Sequence, residues 1–128
     1  MKILLDTHAF IWFVESNAKL SATAKALIEN PNTEVKLSIA SVWEMAIKVS
    51  TGKLAFTQPL DQFVPQQMRL NRIELLTLEM PHTFAIIGLP FHHRDPFDRI
   101  LLAQSFIENM PLVSNDMAFD QYGVKRIW

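Results

Sequence analysis

An α/β domain with a mainly parallel central sheet is the fold this sequence predicts. Three observations carry that expectation. Short apolar or alternating runs recur along the 128 residues, and stretches with helical patterning separate them. Turn chemistry punctuates the alternation, as at Asn30-Pro31, Thr51-Gly52 and Gly88-Leu89-Pro90. No repeat, linker or low-complexity tract interrupts it, so residues 1–128 read as a single domain with one core.

Each element has its own signal. Ile3 to Leu5 is an apolar run flanked by charge, the pattern of a buried strand. Ala9 to Glu15 reads as a very apolar helix. Ser21 to Asn30 is a helix with Ser21 as N-cap, and Asn30-Pro31 stops it. Glu34 to Ser38 alternates as a second strand. Ser41 to Ser50 is a helix closed by Thr51-Gly52. Leu60 to Leu70 is helical, interrupted early by Pro65, and Ile73 to Leu78 is a third strand. Pro81 to Ile87 is a short helix halted by Gly88 and Pro90. Pro96 to Asn109 is the best-marked helix, with Asp95 as N-cap and Pro96 in the first turn. Leu112 to Ser114 and Lys125 to Ile127 read as the fourth and fifth strands.

Composition narrows the function. Apolar residues at 49% and charged residues at 20% are those of a soluble globular domain. The absence of cysteine excludes disulfides, zinc ribbons and thiol chemistry. Only three glycines occur, none close to another, so neither dinucleotide nor Walker phosphate loops can be written. A net charge of -1 leaves no broad basic field for duplex DNA, though a local basic rim is compatible. The opening apolar run ends after three residues at Asp6, which fits neither a signal peptide nor a membrane span, so a cytoplasmic location is expected.

The carboxylates then fall into a pattern. Asp6 follows the first strand and Asp116 follows the fourth, and in a parallel sheet such ends share one edge. Glu44 and Asp98 lie in the first turns of the helices starting at Ser41 and Pro96, which begin at that same edge. Each has a local explanation: Asp6 and Asp116 as caps, Ser41…Glu44 and Asp95…Asp98 as capping boxes. Their common edge adds a joint one. Carboxylates crowded in one cleft repel until some protonate, and a divalent cation resolves that conflict. All-oxygen ligands suit Mg²⁺ or Mn²⁺.

At these residues the chain resembles a known family. Met1-Lys-Ile-Leu-Leu-Asp6-Thr7-His8 is similar to the opening of PIN-domain proteins. Ser38-Ile-Ala-Ser41-Val-Trp-Glu44-Met-Ala-Ile-Lys48 with Gly52-Lys53-Leu54, then His93-Arg-Asp-Pro-Phe-Asp98-Arg99, then Pro111-Leu-Val-Ser114-Asn115-Asp116 are similar to the motifs that follow. The ordered set spans the chain and resembles the VapC-type branch, the toxins of bacterial toxin–antitoxin pairs. That resemblance implies a three-layer α/β fold and a Mg²⁺- or Mn²⁺-dependent endoribonuclease acting on RNA. It also implies neutralisation by a VapB-type antitoxin. Asp6, Glu44, Asp98 and Asp116 carry over as the metal-binding, catalytic acids. Asn115 and Ser105 depart from the family's common residues and leave the acidic set untouched.

The alternative is a PIN-fold module that binds a protein partner with little or no nuclease activity. An aspartyl-nucleophile phosphotransferase fits less well, because His8 stands where that chemistry wants a second acid two residues after Asp6. Among the neighbours, Thr7 and Ser114 can either orient a metal water or serve turns. Lys48, four residues after Glu44, can pair with it or meet a phosphate. Arg94 and Arg99 are available to RNA or to an acid. His92-His93 reads as a polar loop, and Trp12 and Trp43 as core. Finally, five consecutive large apolar residues, Phe10 to Val14, exceed what one helix face can bury. Apolar surface is therefore expected along that helix, fit for a homodimer and for an antitoxin segment.

Overall fold

The computed structural model describes residues 1–128. Five strands, β1 (Lys2–Leu5), β2 (Glu34–Ser38), β3 (Ile73–Leu76), β4 (Leu112–Val113) and β5 (Arg126–Ile127), form one sheet in the order β3-β2-β1-β4-β5. Every pairing is parallel. The helices are α1 (Thr7–Val14), α2 (Ala22–Glu29), α3 (Ile39–Ser50), α4 (Leu60–Leu70), α5 (Met80–Ala85) and α6 (Pro96–Glu108). Two 3-10 segments, Ile86–Gly88 and Met117–Tyr122, complete the chain. No helix is long and apolar enough to cross a membrane.

The strand alternation sorts the core into two layers, one on each face of the sheet. Ile3 and Leu5 of β1, with Val35 and Leu37 beside them in register, face one way into Phe10, Ala24, Met45 and Val64 of α1–α4. Leu4 and Leu112 face the other way, into Leu101 and Leu102 of α6 and Phe119. β1 thus has helices on both faces, which is why it reads as an unbroken apolar run. Lys36 shares the Leu4 face, and its charge is met by pairing across strands with Glu74.

Several boundaries move, each for a local reason. α1 starts at Thr7 because Asp6 caps it, its carboxylate accepting from the Ala9 amide at 2.7 Å. α3 starts at Ile39, because Ser38 rather than Ser41 is the cap. β3 stops at Leu76, the last residue with a partner on β2 before that strand turns into α3. α4 runs through Pro65 unbroken, its apolar side chains Phe63, Val64 and Met68 packed on the core.

The surplus apolar surface expected on α1 is reduced but not removed: Trp12, Phe13 and Val14 stay half-buried. Phe10 and Ile11 are buried, and Trp12, Phe13 and Val14 pack against the same core. The helix is enclosed from more than one side: Trp128 meets Trp12 edge-on at 5.8 Å, and α3 packs against α1. Apolar surface lies open elsewhere, in a groove of about 770 Å³ between α3 and α4, lined by Ile39, Val42, Val49, Leu60, Val64 and Met68.

Candidate active site

The strand order reverses at β1, whose neighbours β2 and β4 lead the chain off in opposite directions. Parallel sheets open a crevice at such a point, beyond the carboxyl ends of the strands. Asp6 leaves β1 there, and Asp116 follows β4 by way of Ser114 and Asn115. α3 brings Glu44 and α6 brings Asp98, so all four acids line one cleft of about 420 Å³, with Thr7, His8, Lys48 and Asp95.

The local roles read for these acids divide. Asp6 and Asp116 do cap, the latter accepting from the Ala118 amide at 3.0 Å. Asp95 caps α6 through the Phe97 amide at 2.8 Å, which leaves Asp98 free of that task. The Ser41…Glu44 capping box does not exist, since α3 begins before it and Glu44 lies in the second turn. Glu44 is instead held from a distance. The Thr7 hydroxyl donates to Glu44 Oε1 at 2.6 Å, and Lys48 Nζ lies 3.0 Å from Oε2. Thr7 Oγ1 is also 3.0 Å from Ser41 Oγ. The sequence predicts that Thr7 orients a metal water or serves a turn; its hydroxyl instead orients an acid, Glu44.

The cleft is electrostatically strained. Burial pushes the Asp6 carboxyl above its ordinary value, more than the Ser114 hydroxyl and the Ala9 amide pull it down, and Glu44 adds to the rise. Asp98 is pushed up to about 6, first by burial and then by Asp95, with Glu44 and Asp116 adding and His93 opposing. Buried carboxylates that repel one another are a site prepared for positive charge. The donor set of carboxylate oxygens suits a hard divalent cation, and ligand atoms of His93, Asp98 and Asp116 already lie within 4.8 Å of one another. The residues present therefore fit such an ion.

Three expectations about the surroundings change, and one holds. His93 is part of the site: its Nε2 lies 2.7 Å from Asp116 Oδ2. Its position just before the Asp95-Pro96 helix start was the available signal, but its partners are 23 and 29 residues away in sequence. Arg99 is unavailable to RNA or to an acid. It is 6% exposed and donates to the carbonyls of Ile86, Leu89, Pro90 and His93, pinning the loop ahead of α6. Trp43 is 62% exposed rather than core, and meets Phe97 edge-on at 5.2 Å. Ser114 serves the turn, as one of its two readings has it: its hydroxyl accepts from the Asp116 amide at 3.1 Å.

A crevice at the switch point of a parallel sheet, lined by acids from four separate elements, defines the class. Residues 3–125 match the PIN domain family, and the chain belongs to it. A 59-residue segment is 34% identical to Ribonuclease VapC16 of Mycobacterium tuberculosis (strain ATCC 25618 / H37Rv). That segment covers 46% of this chain and 42% of the relative, so less than half of the relative's length is matched. The fold is similar to a chain of VapBC2 from Rickettsia felis bound to a promoter DNA fragment, with a TM-score of 0.71 at 17% identity over 99% of this chain and 98% of that one. It is similar also to VapBC-1 from nontypeable Haemophilus influenzae, with a TM-score of 0.64 at 16% identity over 99% and 97%.

Proposed function

We propose that this chain is a divalent-cation-dependent endoribonuclease that hydrolyses RNA phosphodiester bonds as the toxin of a toxin–antitoxin pair. The observation that carries it is the convergence of Asp6, Glu44, Asp98 and Asp116 on one cleft at the sheet's switch point. These four acids would hold Mg²⁺ or Mn²⁺. A divalent cation bound there supplies Lewis-acid polarisation of the phosphoryl group and activates water for attack. The chain's own residues set that up. Thr7 fixes one oxygen of Glu44, Lys48 balances the other, and the caps on Asp6 and Asp116 hold those carboxylates in single orientations. Lys48, on the lining of the cleft, can exchange Glu44 for an RNA phosphate.

A module that only bound a protein would have no use for this arrangement, because holding Asp98 at about 6 among other carboxylates costs stability. The structural neighbours come from VapBC assemblies, and the matched relative is a ribonuclease. On that basis the partner is a VapB-type antitoxin; pairing of two copies of the chain and cytoplasmic action complete the reading. The open groove between α3 and α4 offers apolar surface for such contacts, beyond what α1 leaves exposed. The test is RNA cleavage by the purified chain with Mg²⁺ or Mn²⁺. Cleavage is expected to stop with EDTA and in Asp6→Asn, whose amide oxygen still accepts the Ala9 cap bond. Full activity in Asp6→Asn refutes the four-acid site.

A further inference from the structure

His93 sits on the loop ahead of α6, where Arg99 grips the loop through the His93 and Pro90 carbonyls. Its side chain is 8% exposed and stacks on Phe119 at 4.4 Å and on Tyr122 at 5.5 Å between ring centres. Both ring nitrogens are engaged. Nε2 lies 2.7 Å from Asp116 Oδ2, and Nδ1 lies 2.9 Å from the Tyr122 hydroxyl. An ionised carboxylate only accepts, so in the neutral ring the proton is on Nε2. Nδ1 then accepts from the Tyr122 hydroxyl. The directions are consistent along the line: Tyr122 donates to His93, and His93 donates to Asp116.

Asp116 is held at its other end too, since Oδ1 accepts from the Ala118 amide at 3.0 Å. With one fixed donor on each oxygen, the carboxylate cannot swing. Its remaining lone pairs are left for a ligand in the cleft it lines, near Asp98. Coordination by His93 itself would require three changes. The Nε2 proton would have to move to Nδ1, the Asp116 bond would break, and the Tyr122 hydroxyl would turn from donor to acceptor.

We propose that Tyr122 and His93 form a positioning relay that fixes Asp116 for cation binding, with His93 touching the acid and not the ion. This rests on the reading of the four acids as a divalent-cation site. Partners of this kind, one bond removed from the ion, orient its ligands, and their removal weakens metal affinity by about 10–100-fold. The stacking on Phe119 and Tyr122 sets the ring plane, so the Nε2 proton points along one line. The 3-10 segment that carries both aromatics is the one Asp116 caps, so acid and relay form one unit.

The test is Mn²⁺ titration of the full chain, followed by calorimetry and by the electron paramagnetic resonance signal of free Mn²⁺. Thermal unfolding in EDTA checks each variant's fold. His93→Ala is expected to weaken Mn²⁺ binding by about 10–100-fold. His93→Gln, whose amide N–H can replace the donor, is expected to regain most of it, and Tyr122→Phe to lose only a few-fold. Pulsed resonance of the wild-type complex should show no directly coordinated nitrogen. The relay is overturned if folded His93→Ala binds Mn²⁺ like the wild type, or if His93→Gln, folded, is as weak as His93→Ala. A coordinated-nitrogen signal that disappears in His93→Gln also overturns it, by making His93 a ligand. Wild-type binding that Asp98→Asn abolishes while His93→Ala leaves it unchanged removes the relay alone. No Mn²⁺ binding by the wild type removes the cation site with it.

Discussion

Asp98→Asn separates a site prepared for a cation from a helix end that happens to be acidic. The folded carboxyl keeps its proton to about 6, against 3.8 for the ordinary group. Below about pH 4 both folded and unfolded chains hold the proton, and the raised value costs nothing. As pH rises through that window the unfolded chain releases the proton first, so the folded state loses relative stability, fully so above about 6. The unscreened cost is about 3 kcal/mol, and partial exposure to solvent reduces it to about 1–2 kcal/mol. Asn removes that penalty and also removes a favourable charge at the start of α6, which is worth about 0.5 kcal/mol. A net gain of about 1 kcal/mol remains for the metal-free protein at pH 7.5, or about 3–5 °C in melting temperature. At pH 4 the gain vanishes. The assay is thermal unfolding in EDTA at both pH values, repeated with Mn²⁺, which should stabilise the wild type much more than the variant. A variant no more stable than wild type at pH 7.5, or equally stabilised at pH 4, refutes the account of a strained acidic cleft.

Three other outcomes follow from the geometry. Glu44→Gln keeps an acceptor for the Thr7 hydroxyl but loses the charge that faces Lys48 and the cleft. RNA cleavage should fall by at least about tenfold, equivalent to about 1.4 kcal/mol of barrier, while the melting temperature moves little; unchanged cleavage would confine Glu44 to a structural role. Arg99→Ala strands carbonyls that the guanidinium now satisfies and should cost about 2–4 kcal/mol in urea unfolding. Arg99→Lys should recover little of that, because one ammonium cannot span the same acceptors. Trp43→Ala, at a 62% exposed side chain, should cost no more than about 1 kcal/mol; a loss of about 3 kcal/mol or more would return Trp43 to the core.

Much of the fold was legible because its signals are local. Ser21, Asp95 and the Asn30-Pro31 stop act within a few residues of themselves, and the structure keeps those helix ends. The unbroken apolar run of β1 announces a strand covered on both faces, and it is one. The acids at 6, 44, 98 and 116 were legible for the same reason: each stands just past a strand or near a helix start, and parallel topology sends those ends to one edge.

Tertiary structure decided which partner each side chain takes. Thr7 reaches Glu44 across 37 positions of sequence, and His93 reaches Asp116 across 23. No periodicity of 2 or 3.6 residues encodes such pairs, because strand register and helix packing set them only once the chain has closed. The same holds for burial. Trp43 and Arg99 look like core and surface by composition, yet the packing of α3 against α6 leaves the indole outside, and the carbonyls of the preceding loop draw the guanidinium in. The excess apolar face of α1 found part of its cover within the chain, at α3 and Trp128. Sequence alone therefore determined the elements, their order and the acids at one sheet edge. Side-chain partners and the surfaces left open depended on contacts between distant segments, which exist only in the folded chain.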